Sequence, residues 1–584
     1  MAAAEPPPAA APPGASRGLR GWLDSRTGYQ ALLAHLLSEP VRGGASWAYV
    51  FGSLLLFVLL NQALTGVLLM AFYAPSATDA WASVAYIQDQ VRLGWFIRGM
   101  HSAGASVMVL GMLGHLLQVA LYGAYRSPRE VSWLSGLLLL LLTLGFALTG
   151  YLLPWDQKGY WATQVATSIL GATPVIGQTL QTLLQGGPQY GNLTLTHFYA
   201  LHVFVLPAIV VTLVVAHVAL FRRHGVTPRW GRTDGELDRH TAPFWPGQAL
   251  RDLLAAAALL ALLAWWVVRT HGAELSAPAD PGSRYEARPE WYFLPLYQLL
   301  KYFPGPLEIV AALGVPVLIL GGLGAVPFLD RGRDPAPRRR LLPLGVVGGI
   351  LAGLAALTAL SLREDARNPR YRQGVQQAAE EAQRARHLAL QGVPVAGGTA
   401  VYLNDPQERG RLLFREHCQG CHRLGSLGPE LAEQKGPDLT RWGSRRWLGE
   451  LITEPDSPSA FGHTKLAGSM KPVRLGPEPL ADLVEYLYSL GGGRDVDAAR
   501  VQRGATLFED NNCDLCHERD GKTPGQGPGL GGYLSVAWTR ALLTDPASPL
   551  YYGGKNDMTA FGKKLTAGEL DSLAAYLQAQ RQSR

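Results

Sequence analysis

Apolar residues along this chain gather into seven long runs, near positions 48–73, 99–122, 132–153, 199–221, 250–270, 307–329 and 341–362. Each can cross a hydrocarbon layer of about 30 Å, which takes roughly 20 helical residues. Beyond position 363 no such run recurs and the chain reads as water-soluble. The pattern predicts an all-α fold with seven transmembrane helices and a soluble C-terminal part. Ahead of the first run, GWLDSRTGYQALLAHLL (21–37) predicts one amphipathic helix on the inner membrane surface, with His35 interfacial. Residues 1–16 are low-complexity and predict a disordered tail, drawn here to residue 19. They lack the charged start and apolar stretch of a cleavable signal.

Charge changes the picture by giving it a direction. The net charge of +7 is arranged by connection, which is not how a nucleic-acid-binding surface is built. Arg126 and Arg129 follow the second run, and Arg222, Arg223, Arg229, Arg232 and Arg239 follow the fourth. Arg331, Arg333, Arg338, Arg339 and Arg340 follow the sixth. The alternate connections are poorer, with Arg92 and Lys158 in the first and third, although the fifth holds Arg284, Arg288 and Lys301. The positive-inside rule makes the Arg-rich connections cytoplasmic. The N-terminus is then inside and the soluble tail outside.

Ionisable groups inside a bilayer are costly and mark function. The second run carries His101 and His115, fourteen residues apart. At about 1.5 Å and 100° per residue they stack on one helix face, roughly 21 Å apart. The fourth run repeats the pattern with His202 and His217, where fifteen residues overshoot that face by about 60°. His101 can face His202 at the outer level and His115 can face His217 at the inner one. Opposed imidazoles at two levels suit two bis-histidine b haems, since each iron takes one axial nitrogen from either side. The competing reading is four separate hydrogen-bonded core histidines. Gly52 and Gly66 in the first run, and Gly136 and Gly150 in the third, repeat the fourteen-residue spacing and would leave clearance for flat macrocycles.

With GWFIRGMHSAGAS (94–106), GYLLPWDQKGYW (150–161), LTLTHFYALHVFVLP (193–207) and RPEWYFLPLYQLLKY (288–302), residues 20–362 resemble the cytochrome b family. These proteins form the membrane core of quinol:cytochrome c oxidoreductases. The resemblance implies a four-helix haem bundle, three further helices, and quinol oxidation at the outer face. It also implies that Arg98 meets the outer haem's propionates. Gln118 stands where the inner-haem counterpart is expected, leaving Arg222 to pair there. Val58 replaces the cysteine that holds an extra covalent haem in the chloroplast-type form, so that haem is expected to be absent. The fifteen-residue spacing resembles that split form, here with both halves joined. His197 replaces an arginine of the family's turn and has no sequence-level explanation.

Oxidising a quinol releases two protons, so a base must stand beside it. Within Pro289–Glu290–Trp291–Tyr292, the resemblance makes Glu290 that base, with Tyr292 and Tyr151 shaping the pocket. Outside this context a loop glutamate is usually a solvated surface residue.

The soluble part is two copies of one module. All four cysteines fall in CQGCH (418–422) and CDLCH (513–517). CxxCH supports thioether attachment of haem c, with the histidine as proximal ligand; zinc or a redox disulfide is the rival for a lone CxxC. GRLLFREHCQGCH parallels GATLFEDNNCDLCH, KGPDL parallels QGPGL, and LADLVEYLYSL parallels LDSLAAYLQAQ. Each copy holds one methionine in a polar context, Met470 and Met558, as the second axial ligand. The expected sets are Cys418, Cys421, His422 and Met470 for one haem c, and Cys513, Cys516, His517 and Met558 for the other. His463 is a rival ligand in the first copy.

These readings divide the chain into a tail (1–19), a haem-binding domain (20–225), a quinol-site domain (226–365), a linker (366–400) and cytochrome c domains at 401–493 and 494–584. The expected protein sits in a bacterial cytoplasmic membrane as a homodimer. It uses quinol as substrate, a separate Rieske iron–sulfur protein as partner, and a cytochrome c or terminal oxidase as acceptor. No cysteine is left over for an iron–sulfur cluster in this chain. The alternatives are a non-catalytic electron conduit anchoring a dehydrogenase and, more remotely, a transporter with buried histidines. Two non-covalent b haems and two covalent c haems are predicted per chain. Acid–acetone extraction should remove half the haem and leave half on the polypeptide; a third covalent haem contradicts the reading of Val58.

Overall fold

The computed structural model describes residues 18–582 except 284, 333 and 426. The expected tail through residue 17, the charges of Arg284 and Arg333, and the side chain of His35 lie outside the described residues. The chain forms two compact units, one ending at Thr399 and one starting at Ala400.

The first unit contains the seven expected spans, Trp47–Met70, Gly94–Tyr122, Glu130–Leu152, Asn192–His224, Gly247–Thr270, Val310–Leu329 and Leu341–Arg367. This is a multi-pass membrane protein, all-α among the described residues apart from two-residue strands pairing Pro40–Val41 with Ala242–Pro243. The first span packs on the second and the third on the fourth, with the second touching the third. The fifth lies along the first two, the sixth along the third, and the seventh along the sixth and second.

Three departures from the sequence reading have local causes. The expected single helix over 21–37 is two, Leu19–Thr27 and Tyr29–Leu37, because Gly28 takes a left-handed conformation (φ 62°) between them. The first of these begins inside the expected tail. The seventh helix outlasts its apolar run by five residues, after which Asn368 caps a further helix, Pro369–Ala389. That helix is not a loose tether: it docks on helix Ala80–Asp89 through the Arg386–Asp89 ion pair. Arg340, counted above as a surface charge, is 1% exposed. Its guanidinium donates to Ala120 O and Leu121 O (2.8 and 2.5 Å), carbonyls of the last turn of the second span.

The fourth span answers the fifteen-residue question. Residues Leu201–Val205 form a π-helical turn between α-helical Asn192–Ala200 and Leu206–His224. A π turn takes in an extra residue, so it absorbs the overshoot that a uniform α-helix would build up between His202 and His217.

In the second unit the repeats share one core running from Leu413 to Leu577. Helices Pro406–His417, Arg445–Thr453 and Pro477–Leu490 form the first copy, and Ala498–Asp510, Val536–Thr544 and Ala567–Ala579 the second. The first helix of each copy packs along the last helix of the other. Phe414 meets Tyr576 (ring centroids 6.3 Å apart) and Phe508 meets Tyr486 (5.6 Å) at equivalent positions.

Candidate functional site

The four intramembrane histidines come together in two pairs. The rings of His101 and His202 lie 6.2 Å apart between centroids, at 75°. Two metal–imidazole bonds of about 2 Å separate coordinating nitrogens by about 4 Å, and the two ring radii account for the rest. His115 and His217, the second pair, lie within electrostatic reach of each other.

Each Nδ1 is already engaged. It lies 2.9 Å from Thr65 Oγ1 in His101, 3.0 Å from Gln118 Oε1 in His115, 3.2 Å from Thr149 Oγ1 in His202 and 2.8 Å from Ser135 Oγ in His217. The hydroxyl protons are spent elsewhere. Thr65 donates to Asn61 O (2.6 Å), Thr149 to Phe146 O (3.0 Å) and Ser135 to Ser132 O (2.9 Å). A hydroxyl has one proton, so each of these oxygens can only accept from Nδ1–H, and for His202 Phe146 O accepts as well at 3.1 Å. The tautomer is fixed with Nε2 bare, the arrangement of metal-ligating histidines with a supporting acceptor. Three of these partners were not singled out from the sequence, and Gln118 was read only as a propionate position. A signal existed: Thr65–Gly66, Ser135–Gly136 and Thr149–Gly150 are hydroxyl–glycine pairs.

The glycines in those pairs face imidazole rather than open space. A Cβ on Gly66 would lie 3.3 Å from His101 Cε1, on Gly136 3.4 Å from His217 Cε1, and on Gly150 2.5 Å from His202 Cε1. Gly52 is different: nothing lies within 4 Å of its added Cβ, and His115 takes Gln118 from its own helix instead. The arginines are committed to protein groups. Arg98 donates to Gln88 Oε1, Ala273 O and Glu274 O, bracing the connection after the fifth span, and Arg222 pairs with Glu39 at 2.8 Å. His197 Nδ1 donates to Leu183 O (3.0 Å), tying the fourth span to helix Gly177–Gln185.

The CxxCH histidines use the same device with backbone acceptors. His422 Nδ1 donates to Pro437 O and His517 Nδ1 to Pro528 O, both at 2.9 Å. Burial lowers the pKa of both imidazoles, favouring the neutral form. A Cβ on Gly436 or Gly527 would lie 2.5 Å from the Cε1 of its histidine, which explains the KGPDL and QGPGL parallel. All six histidines therefore fit axial ligation, with Nδ1 engaged and Nε2 bare, and for all but His115 a glycine clears the ring.

Around Glu290, four segments converge. Asp156 caps helix Gln157–Gly171 through Gly159 N (2.8 Å) and also accepts Ser276 N (2.9 Å), fixing the connection after the fifth span beside it. Lys158 Nζ then reaches Glu290 Oε1 (3.4 Å) and Glu274 Oε2 (3.3 Å). Burial works to lower the Lys158 pKa, but the two carboxylates outweigh it and hold the ammonium above its usual range. Burial raises that of the neighbouring Tyr292 phenol. Tyr151 Oη is buried with no hydrogen-bond partner among the described residues. Trp291 Nε1 donates to Ser106 Oγ (3.3 Å) and Arg288 pairs with Asp365 (3.1 Å), anchoring the motif to the second and seventh spans. Sequence reasoning found Glu290, Tyr292 and Tyr151 but missed Lys158 and Glu274 as its neighbours.

Comparison with known proteins identifies the domains that carry these residues. Residues 36–225 match the family model described as cytochrome b/b6/petB, and 278–372 the cytochrome b(C-terminal)/b6/petD model. Residues 407–491 match cytochrome c, and 499–577 match cytochrome C oxidase, cbb3-type, subunit III. The chain is 34% identical over 327 residues to cytochrome b/c1 of Bradyrhizobium diazoefficiens, covering 55% of this chain and about half (47%) of that protein's length. It is 35% identical over 305 residues to cytochrome b of Rhodobacter capsulatus, covering 50% of this chain and 69% of that protein. Against cytochrome b6 of Rippkaea orientalis it is 39% identical over 206 residues, covering 35% and 93%. A solved hyperthermophilic respiratory Complex III chain is similar at TM-score 0.51 and 26% identity, covering 65% of this chain and 99% of that one.

The hydroxyl acceptors generate a test. Ser135→Ala removes the partner of His217 Nδ1 and should weaken haem retention at the His115–His217 pair by about 10- to 100-fold, the usual cost of losing such a support. Haem titration of the purified variant measures it; unchanged retention and potential at that pair would show that the hydroxyl does not orient the ligand.

Proposed function

The chain belongs to the cytochrome b family, and on that premise we propose that it is the catalytic subunit of a quinol:cytochrome c oxidoreductase with its own dihaem electron outlet. Cytochrome b and cytochrome c domains in one chain, with relatives in bc-type complexes, support the coarser part of this reading. The observation that carries the finer part is Glu290, held by Lys158 at 3.4 Å, together with a Tyr151 hydroxyl that has no partner among the described residues. A conduit that only passes electrons has no use for a carboxylate base beside a buried, unsatisfied hydroxyl.

In this reading His101, His202, His115 and His217 hold two b haems, and the two CxxCH motifs hold two c haems. When bound, these groups accept and pass on single electrons. The chain's own residues do the rest. Tyr151 and Tyr292 wall a pocket from water, and Tyr151 Oη offers a hydrogen bond to a quinol oxygen. Glu290 Oε1 takes a quinol proton, which costs it the Lys158 contact. Lys158 keeps its second partner, Glu274, whose side chain is 75% exposed and leads toward water. Protons thus leave on the side from which the base is reached. A separate Rieske iron–sulfur protein, an outer-face site in a bacterial cytoplasmic membrane and a homodimer complete the proposal.

Glu290→Gln keeps volume and hydrogen bonding but cannot take up a proton. All four haems should assemble while quinol oxidation falls; general-base assistance is typically worth about 100- to 10,000-fold, and at least roughly tenfold should survive partial substitution by water. Electron transfer from reduced c haems to an external acceptor should be unaffected. Wild-type quinol turnover with the Rieske partner bound, or purified complex with neither a Rieske electron paramagnetic resonance signal nor inhibitor-sensitive quinol oxidation, overturns the proposal.

A further inference from the structure

The two soluble repeats exchange more than a helix. Gly410 and Gly504 hold equivalent positions on the first helices. A Cβ on Gly410 would overlap Ser572 O and Tyr576 Cβ, and one on Gly504 would overlap Asp482 O and Tyr486 Cβ. Each glycine therefore exists for the last helix of the other repeat. The last helix does not travel alone. Phe561 N donates to Leu543 O and Val473 N to Ile452 O (both 2.9 Å), so each methionine loop is stitched to its own middle helix. Each middle helix packs on its own last helix. Middle helix, methionine loop and last helix form one block, and that block docks on the other repeat's first helix.

The crossover lies just after the proline carbonyls that hold His422 and His517. Arg441 and Gly532 are equivalent, as are Gly443 and Leu534, and all four have positive φ (58°, 72°, 75° and 63°). Left-handed backbone is unfavourable for a non-glycine residue, so Arg441 and Leu534 mark a bend that the surrounding packing imposes. There Gly532 N donates to Leu490 O, and Arg581 donates to Tyr488 O and Gly491 O (2.8 and 2.9 Å), knotting the two copies together. Contacts that tie each block to its own proline segment, Asp438 N to Ser459 O and Gly529 N to Leu550 O, fall eleven and eight residues ahead of that copy's methionine.

One contact puts a methionine loop at a specific haem-attachment site. The Phe561 ring lies 5.9 Å from that of His417, the residue directly before Cys418. Phe561 is three residues after Met558, a reach of about 10 Å at most. The loop of the second repeat thus runs beside the attachment site of the first.

We infer that axial ligation in the soluble unit is crossed: Met558 pairs with His422, and Met470 with His517. The sets within one repeat, expected from sequence, give way to sets completed by the other repeat. This rests on the haem c reading of the CxxCH motifs. It makes the dihaem unit a single obligate body, in which neither haem site is complete without both repeats.

The test removes one haem at a time in the full chain. With Cys513→Ser and Cys516→Ser, only the CQGCH haem remains. In that background Met558→Ala should abolish the sulfur-to-iron charge-transfer band and lower the midpoint potential, while Met470→Ala should leave both unchanged. The reverse outcome overturns the crossing. Absence of covalent haem on a stained gel would instead refute the haem c reading itself. Should the single-haem chain not fold, a protease site placed in 491–497 of the wild-type chain serves. After cleavage the C-terminal fragment should stay with the membrane part through native washing. Its release with a methionine-ligated spectrum overturns the crossing.

Discussion

A bare ring nitrogen in a low-dielectric interior is the constraint from which the rest follows. A buried imidazole must satisfy one nitrogen while presenting the other, and an unpaired polar group there costs several kcal/mol. In the membrane unit His115 uses Gln118, and the other three use Thr65, Thr149 and Ser135, whose protons are already committed to helix carbonyls. The residue following each of these three hydroxyls is glycine, so one dipeptide supplies both the acceptor and the room for the ring. The histidines of the second unit solve the same problem with Gly436–Pro437 and Gly527–Pro528, where the proline carbonyl accepts and the preceding glycine clears. Two unrelated architectures converge because the requirement is a property of imidazole, not of either fold.

What could be read from sequence followed what is periodic. Seven apolar runs and a fourteen-residue histidine interval survive intact because both are fixed by helix geometry. The fifteen-residue interval looked like a 60° error and was not one. A π turn is selected by what the ring must face across the bundle, and His202 is two residues into it. No local residue preference announces that. The glycines were legible as a pattern but not as a purpose: clearance for a macrocycle and clearance for an imidazole leave the same spacing. Gly52 shares the spacing but faces no imidazole, so periodicity alone does not separate the two kinds of clearance.

Helix exchange was beyond sequence reasoning for a different reason. Each repeat carries a complete set of elements, so closed and exchanged arrangements have identical hydrophobic patterns and identical helix–helix contacts. Phe414 against Tyr576 is chemically the same contact as Phe414 against Tyr486 would be. The choice lies in the few residues of the crossover, and there the sequence does hold a clue. Arg441 and Leu534 occupy left-handed positions where glycine is the easier choice, and their counterparts in the other copy, Gly532 and Gly443, are glycines.

The Glu290 cluster shows a third kind of information, carried by residues far apart in sequence. Lys158 follows the third span, Glu274 the fifth, and Glu290 lies further along the same connection. What sets their separation is Asp156, buried, accepting one N–H from its own helix and one from Ser276. Burial raises the Asp156 pKa, opposed by those two N–H donors, so the clamp relies on hydrogen bonds as well as on charge. Those two N–H bonds join the segments through backbone that no protonation step touches, so the clamp does the positioning and the ion pair is free to break. That division suits a carboxylate whose proposed work begins when its lysine contact is given up. Were Lys158 the structural tie, each proton taken by Glu290 would loosen the pocket that delivers it.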